Sequence, residues 1–132
     1  TDPLHIGDHV LVGPMASVSG ATIGDEVFLA TGARVFNGAR IGAGSEVRIN
    51  AVVHLRTVLP EGSTVPISWV AVGDPASILS PDRHDEIWAI QQDLDFPGYV
   101  FGLDRSTPDL MVQLTERYAR HLARHADDRP VG

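Results

Sequence analysis

Aliphatic residues recur along the first half of the chain at a fixed interval. Ile6, Val12, Val18, Ile23, Leu29, Val35, Ile41, Val47, Val53, Leu59 and Val65 are six residues apart, except for one five-residue step between Val18 and Ile23. Four residues after each anchor stands Val10, Ala16, Thr22, Val27, Ala33, Ala39, Ser45, Ala51, Thr57, Ser63 or Trp69, nearly all small or β-branched. Glycine follows the anchor directly at Gly7, Gly13, Gly24 and Gly42. Six residues is neither one turn of an α-helix nor two. A hairpin sheet would alternate with a period of two.

The period of six predicts a mainly β chain. Its fold class is a left-handed parallel β-helix of hexapeptide repeats followed by C-terminal α-helices. Three hexads close one triangular coil of about 18 residues, and successive coils stack about 4.8 Å apart. Each anchor then points inward, above its counterpart one coil away, and the small residue fits a corner. Counting every third hexad gives three inner columns. The first holds Ile6, Ile23, Ile41 and Leu59; the second Val12, Leu29, Val47 and Val65; the third Val18, Val35 and Val53. Burial of such a residue stabilises by roughly 1.5–3 kcal/mol. A coil end is an open sheet edge and needs a cover. The N-terminal end shows none, which predicts further coils upstream of Thr1.

The repeat ends near Trp69, so the expected organisation is a β-helix over 4–76 and a helical extension over 77–132, packed on the β-helix or on a neighbouring subunit. Ser80 and Pro81 predict a helix N-cap and first helical position, followed by acidic Asp82, Asp85 and Glu86. Ile87, Ile90 and Leu94 share one face of that helix. Phe96-Pro97-Gly98 should break it. A second helix is expected from Thr107-Pro108, with Leu110, Leu114, Tyr118 and Leu122 as its apolar stripe and Arg117, Arg120 and Arg124 near its C-terminal end. These helices read most simply as packing elements. A lid over a site is the functional alternative, with Trp88 and Tyr99 as contributors.

Composition narrows the chemistry. All ten Lys and Arg residues are arginine, which excludes lysine bases and Schiff-base chemistry. No cysteine is present, so disulfides, thiolate ligands and thiol nucleophiles are excluded, as fits a cytoplasmic protein. The net charge of −7 argues against a nucleic-acid partner, and no apolar run is long enough to cross a membrane.

The tract Ile6-Gly7-Asp8-His9-Val10-Leu11-Val12-Gly13, with Gly20-Ala21-Thr22-Ile23-Gly24-Asp25, resembles the motif of the γ-class carbonic anhydrase family. The likeness runs from about Leu4 to Ala76, and Val72-Gly73-Asp74-Pro75-Ala76 resembles the segment that closes many hexapeptide proteins. It implies a homotrimer acting on a small molecule. Three histidines between adjacent subunits would hold a zinc-type metal, whose bound water attacks carbon dioxide. In that motif one ligand follows the Val-Gly pair and a second lies five residues later. Here those places hold Pro14 and Ser19, with Met15 and Ser17 as neighbours. Proline cannot ligate, and a serine hydroxyl is a poor zinc ligand. The expectation is therefore an altered or degraded site with no cofactor, unless upstream or neighbouring-subunit residues supply ligands for zinc or a similar divalent metal.

Among the histidines, His54 shares an outward column with Ser19 and Phe36, but stands two coils from Ser19, about 10 Å. It reads as a satisfied surface or interface residue. His5 and His9 read as solvated turn residues, and His84 lies at the start of a helix. His121 and His125 are an i, i+4 pair that could bind a metal; with no acidic partner evident on that face, they read as solvated. Two other functions compete with the carbonic anhydrase-like one. In an acyltransferase using an acyl-coenzyme A donor, His54 would be the general base. The chain could instead be a non-catalytic structural or assembly protein.

Overall fold

A computed structural model describes residues 2–131. Thirteen strands form three sheets among them. The first sheet stacks β1 (His5–Ile6), β4 (Thr22–Ile23), β7 (Arg40–Ile41) and β10 (Val58–Leu59). The second stacks β2 (Leu11–Val12), β5 (Phe28–Leu29), β8 (Glu46–Val47) and β11 (Thr64–Val65). The third holds β3 (Ser17–Val18), β6 (Arg34–Val35), β9 (Val52–Val53), β12 (Val70–Val72) and β13 (Ser77–Leu79). Every pairing is parallel except β12 with β13. This is the stacked-coil β-helix that the period predicts.

The register reproduces the columns residue by residue. Ile6 pairs with Ile23, Ile23 with Ile41, and Ile41 with Leu59. Val12, Leu29, Val47 and Val65 align in the second sheet, and Val18, Val35 and Val53 in the third. Ala71 continues the third column one step past the visible repeat. From Ile23 onward the anchors are almost wholly buried, whereas Ile6 and Val12 are each 46% exposed. One corner departs from expectation. The small buried residue after Val18 is Ala21, not Thr22, because that corner is one residue shorter; Thr22 instead lies exposed on β4.

The corners share a backbone rule. The third residue after the anchor adopts a left-handed conformation at His9, Met15, Glu26, Gly32, Gly38, Gly44, Asn50, Arg56, Gly62 and Ser68. The shortened corner at Ser19–Ala21 omits that residue. The corners also form ladders of their own: Gly32 N–H donates to Pro14 O, Asn50 to Thr31 O and Ser68 to Ile49 O.

The chain divides into two compact units, 1–94 and 95–132. In the first, β12 and β13 are antiparallel, and Val72 and Leu79 pack with Ile87 of helix α1 (His84–Gln91). Ile90 and Leu94 join this cluster, as their spacing predicts. The helix starts later than Ser80-Pro81 implies. Arg83 N–H bonds to Ser80 O in a tight turn, so the first α-helical residue is His84. A 3₁₀ turn follows (Gln92–Leu94), whose Leu94 carbonyl accepts from Arg56 at 3.0 Å.

In the second unit, Phe96-Pro97-Gly98 does not break a helix but begins one, α2 (Phe96–Phe101). The break falls at Asp95, which is left-handed and accepts the Gly98 N–H on its side chain. Pro97 sits in the first turn, where its missing N–H costs nothing. Helix α3 (Leu110–Ala123) starts two residues later than Pro108, after left-handed Asp109. Phe101 meets Tyr118 edge-on, and Arg117 donates to Phe101 O at 2.8 Å. Leu110 and Leu114 are half-buried; Tyr118 and Leu122 remain exposed.

Candidate functional site

Pro14 and Met15 form the corner between β2 and β3 in the first coil. Both side chains are exposed, Met15 by 81%, while both of their carbonyls are engaged. The Pro14 carbonyl accepts from Gly32 N–H. The Met15 carbonyl accepts from the Arg34 guanidinium at 2.8 Å, and the same Arg34 nitrogen donates to Gly32 O at 2.7 Å. Arg34 therefore fastens this corner to the next. No sequence motif marks Arg34 for that role, although it stands one coil from Ser17 in the outward row of the third sheet. What the corner offers to solvent is a proline ring, a soft thioether and the Ser17 hydroxyl. Among the described residues, no group of three or more His, Asp or Glu side chains is placed to hold a metal ion.

Ser19 and His54 stand in one outward column, but the structure does not bring them together. Phe36 lies between, and its ring stacks on the His54 imidazole with centroids 5.4 Å apart and planes within 15°. His54 is buried rather than at the surface, only 8% exposed. Its Nδ1 accepts the Leu55 backbone N–H at 2.8 Å. That contact places the proton of the neutral ring on Nε2. Burial pushes the His54 pKa down and favours this neutral form. The one lone pair of the neutral ring is thereby engaged by the backbone.

The outer face of the first sheet carries a second feature that the sequence reading missed. An open groove of about 460 Å³ is lined by Thr22, Arg40 and Val58 on the strands and by Asp25 and Glu61 at the corners. Arg40 could have been found by reading the residue before each anchor, since His5, Thr22, Arg40 and Val58 form the outward row. The groove is on a different sheet from Ser17, and its lining combines one guanidinium with two carboxylates, which gives it no net cationic character. His5 and His9 are exposed, and His84 lies 3.7 Å from Asp85.

By its column register and its repeated corner geometry, the chain is a β-helix of hexapeptide repeats. Its sequence is similar to two proteins of Arabidopsis thaliana. It is 33% identical over 90 residues to "Gamma carbonic anhydrase 1, mitochondrial" and 31% identical over 90 residues to "Gamma carbonic anhydrase 2, mitochondrial". Each match covers 68% of this chain and 30% of the relative, so the shared segment is less than a third of those proteins' length. Among solved structures, a hexapeptide transferase family protein from Anaplasma phagocytophilum aligns with 88% of this chain and 68% of its own, at 14% identity and a TM-score of 0.39. No protein-family profile matches the chain. Among the described residues, no helix is long and apolar enough to cross a membrane.

Proposed function

We propose that the chain is a γ-carbonic anhydrase-like protein with an altered metal site, acting as one subunit of a homotrimer. The observation that carries this reading is the identity to the two γ carbonic anhydrases, taken with Pro14 and Ser19 at the motif's ligand places. The residues at those places do not fit zinc. A proline nitrogen is locked in the peptide bond, and zinc sites draw on imidazole, thiolate and carboxylate. No step is therefore derived through a metal held there. The family's chemistry, reversible hydration of carbon dioxide, needs an ion that lowers the pKa of its bound water. This chain would take part in it only with ligands from outside its own residues.

Acyl transfer is the weaker reading on one observation. A general base needs a free lone pair on imidazole, and the His54 Nδ1 lone pair is occupied by Leu55 N–H.

The test is stopped-flow carbon dioxide hydration by the purified chain with added Zn²⁺. The expected rate is that of buffer. Metal-dependent turnover that survives His121→Asn/His125→Asn, which removes the other imidazole pair, overturns the altered-site reading. Sedimentation equilibrium should give three chains per particle; a monomer at micromolar concentration removes the trimer from the proposal.

A further inference from the structure

Near the C-terminal end of α3 the structure supplies what the sequence pattern alone lacked, an acidic partner for a histidine pair. His121 lies in the last turn of α3 and His125 in the turn that follows it, with ring centroids 5.6 Å apart and planes at 72°. Asp128 Oδ2 lies 2.6 Å from His125 Nδ1, and both side chains are well exposed, 57% and 65%. A carboxylate on Nδ1 keeps the proton there and leaves the Nε2 lone pair pointing away from it. This is the arrangement by which outer carboxylates orient ligating histidines.

We propose that His121 and His125, with Asp128 orienting His125, form a two-imidazole site for a divalent transition-metal ion. The geometry is close to what chelation needs. Bonds of about 2.0–2.1 Å to each nitrogen, at an angle near 110°, place the two ring centroids roughly 5 Å apart. The observed centroid separation of 5.6 Å is close to that value, and both rings are at exposed positions where they can reorient to aim their nitrogens at one ion. Two neutral imidazoles select borderline ions such as Cu²⁺, Ni²⁺ and Zn²⁺ over Mg²⁺ or Ca²⁺, which want oxygen donors. Water completes the coordination sphere. Arg120 and Arg124 oppose a cation on this helix, and the Asp128 charge partly offsets them. The site uses none of the residues of the first-coil corner, so it stands independently of the proposed function.

The test is calorimetric titration of the full chain with NiCl₂ at pH 7.5, repeated in His121→Asn, His125→Asn, the double variant and Asp128→Asn. The expected result is one site per chain, saturating below about 1 mM Ni²⁺. Each single histidine change should weaken it at least tenfold, and the double change should abolish it. Asp128→Asn should weaken binding about tenfold, the usual effect of losing an outer-shell partner. With Cu²⁺ as probe, electron paramagnetic resonance should show coupling to two imidazole nitrogens. Binding that persists unchanged in the double variant, or none in the wild-type chain, overturns the site. An unchanged affinity in Asp128→Asn overturns the role given to Asp128. Exposed positions make these variants safe for folding, which circular dichroism checks.

Discussion

The first coil and the coil stacked on it carry the same pattern and have opposite environments. Val12 and Leu29 are register partners in the second sheet, yet Val12 is 46% exposed and Leu29 is fully buried. Ile6 and Ile23 repeat the contrast in the first sheet, at 46% and 2%. An anchor in a β-helix is enclosed by its own coil on the sides and by its neighbours above and below. Where the described residues place a coil on one side only, the same inward side chain is exposed. In this fold, burial is therefore a property of position along the stack as much as of sequence.

That contrast has a direct energetic test. Leu29→Ala should cost about 2–5 kcal/mol, the usual loss for a fully enclosed leucine. In the 132-residue chain, Val12→Ala should cost less than about 1 kcal/mol, since Val12 is 46% exposed there. Urea denaturation of the two variants reads the difference directly. Equal losses would mean that the first coil is enclosed in solution, and the comparison would fail.

Two glycines separate stacking from backbone conformation. A Cβ on Gly42 would lie 2.4 Å from Glu61 N, so Gly42→Ala must push two coils apart and should cost about 1–3 kcal/mol. A Cβ on Gly44 meets nothing within 4 Å, but its φ of +71° leaves a left-handed strain of about 1 kcal/mol for Gly44→Ala. A larger loss at Gly44 than at Gly42 would show that coil spacing is softer than the close approach implies.

The outward column sharpens the comparison by pH. It runs from part-exposed Ser19 in the first coil to buried His54 two coils on. The His54 pKa is lowered by burial from its ordinary 6.5, so the unfolded chain takes up a proton before the folded one. The stabilising contribution is complete above pH 6.5 and is lost as pH falls below it toward the lowered folded-state value. Protonation also ends the contact with Leu55 N–H. Melting temperatures of wild type and His54→Phe should diverge below pH 6.5, with the variant the flatter. Parallel curves would refute the assignment.

The smallest effect lies in the corners. Met15 and Glu26 hold left-handed φ values of 59° and 56° without being glycine. Met15→Gly and Glu26→Gly should each stabilise by a few tenths of a kcal/mol. Relief of strain slightly exceeds the greater chain entropy that glycine loses on folding. Thermal denaturation resolves the sign, and a drop in both variants would show that their side chains hold the corners.

Much of the fold is legible because a single repeat dictates it. The six-residue spacing identified each inner column correctly, and one of the three continues only through Ala71, too small to stand out as an anchor. The left-handed corner residue was also readable, since Gly32, Gly38, Gly44 and Gly62 are multiples of six apart. The site was less legible. Pro14 and Ser19 could be placed by motif, but the clamp of Arg34 on the Met15 carbonyl depends on a side chain reaching across one coil. The boundary errors at Ser80, Pro97 and Pro108 share a cause. Turn residues mark where a helix can start, while the backbone bonds of the preceding turn select where it does.

By itself the sequence determined which residues face inward and which stack on which, because a period of six closes a three-sided coil in only one register. It also determined that the first coil carries Pro14, Met15 and Ser19. Only the tertiary structure decided the environments of those positions. It buried Leu29 and left Val12 wet, placed Phe36 against His54 and engaged its Nδ1, and set Asp128 against His125. Each of these depends on what lies one coil or one turn away in space, and packing, not local pattern, supplies that neighbour.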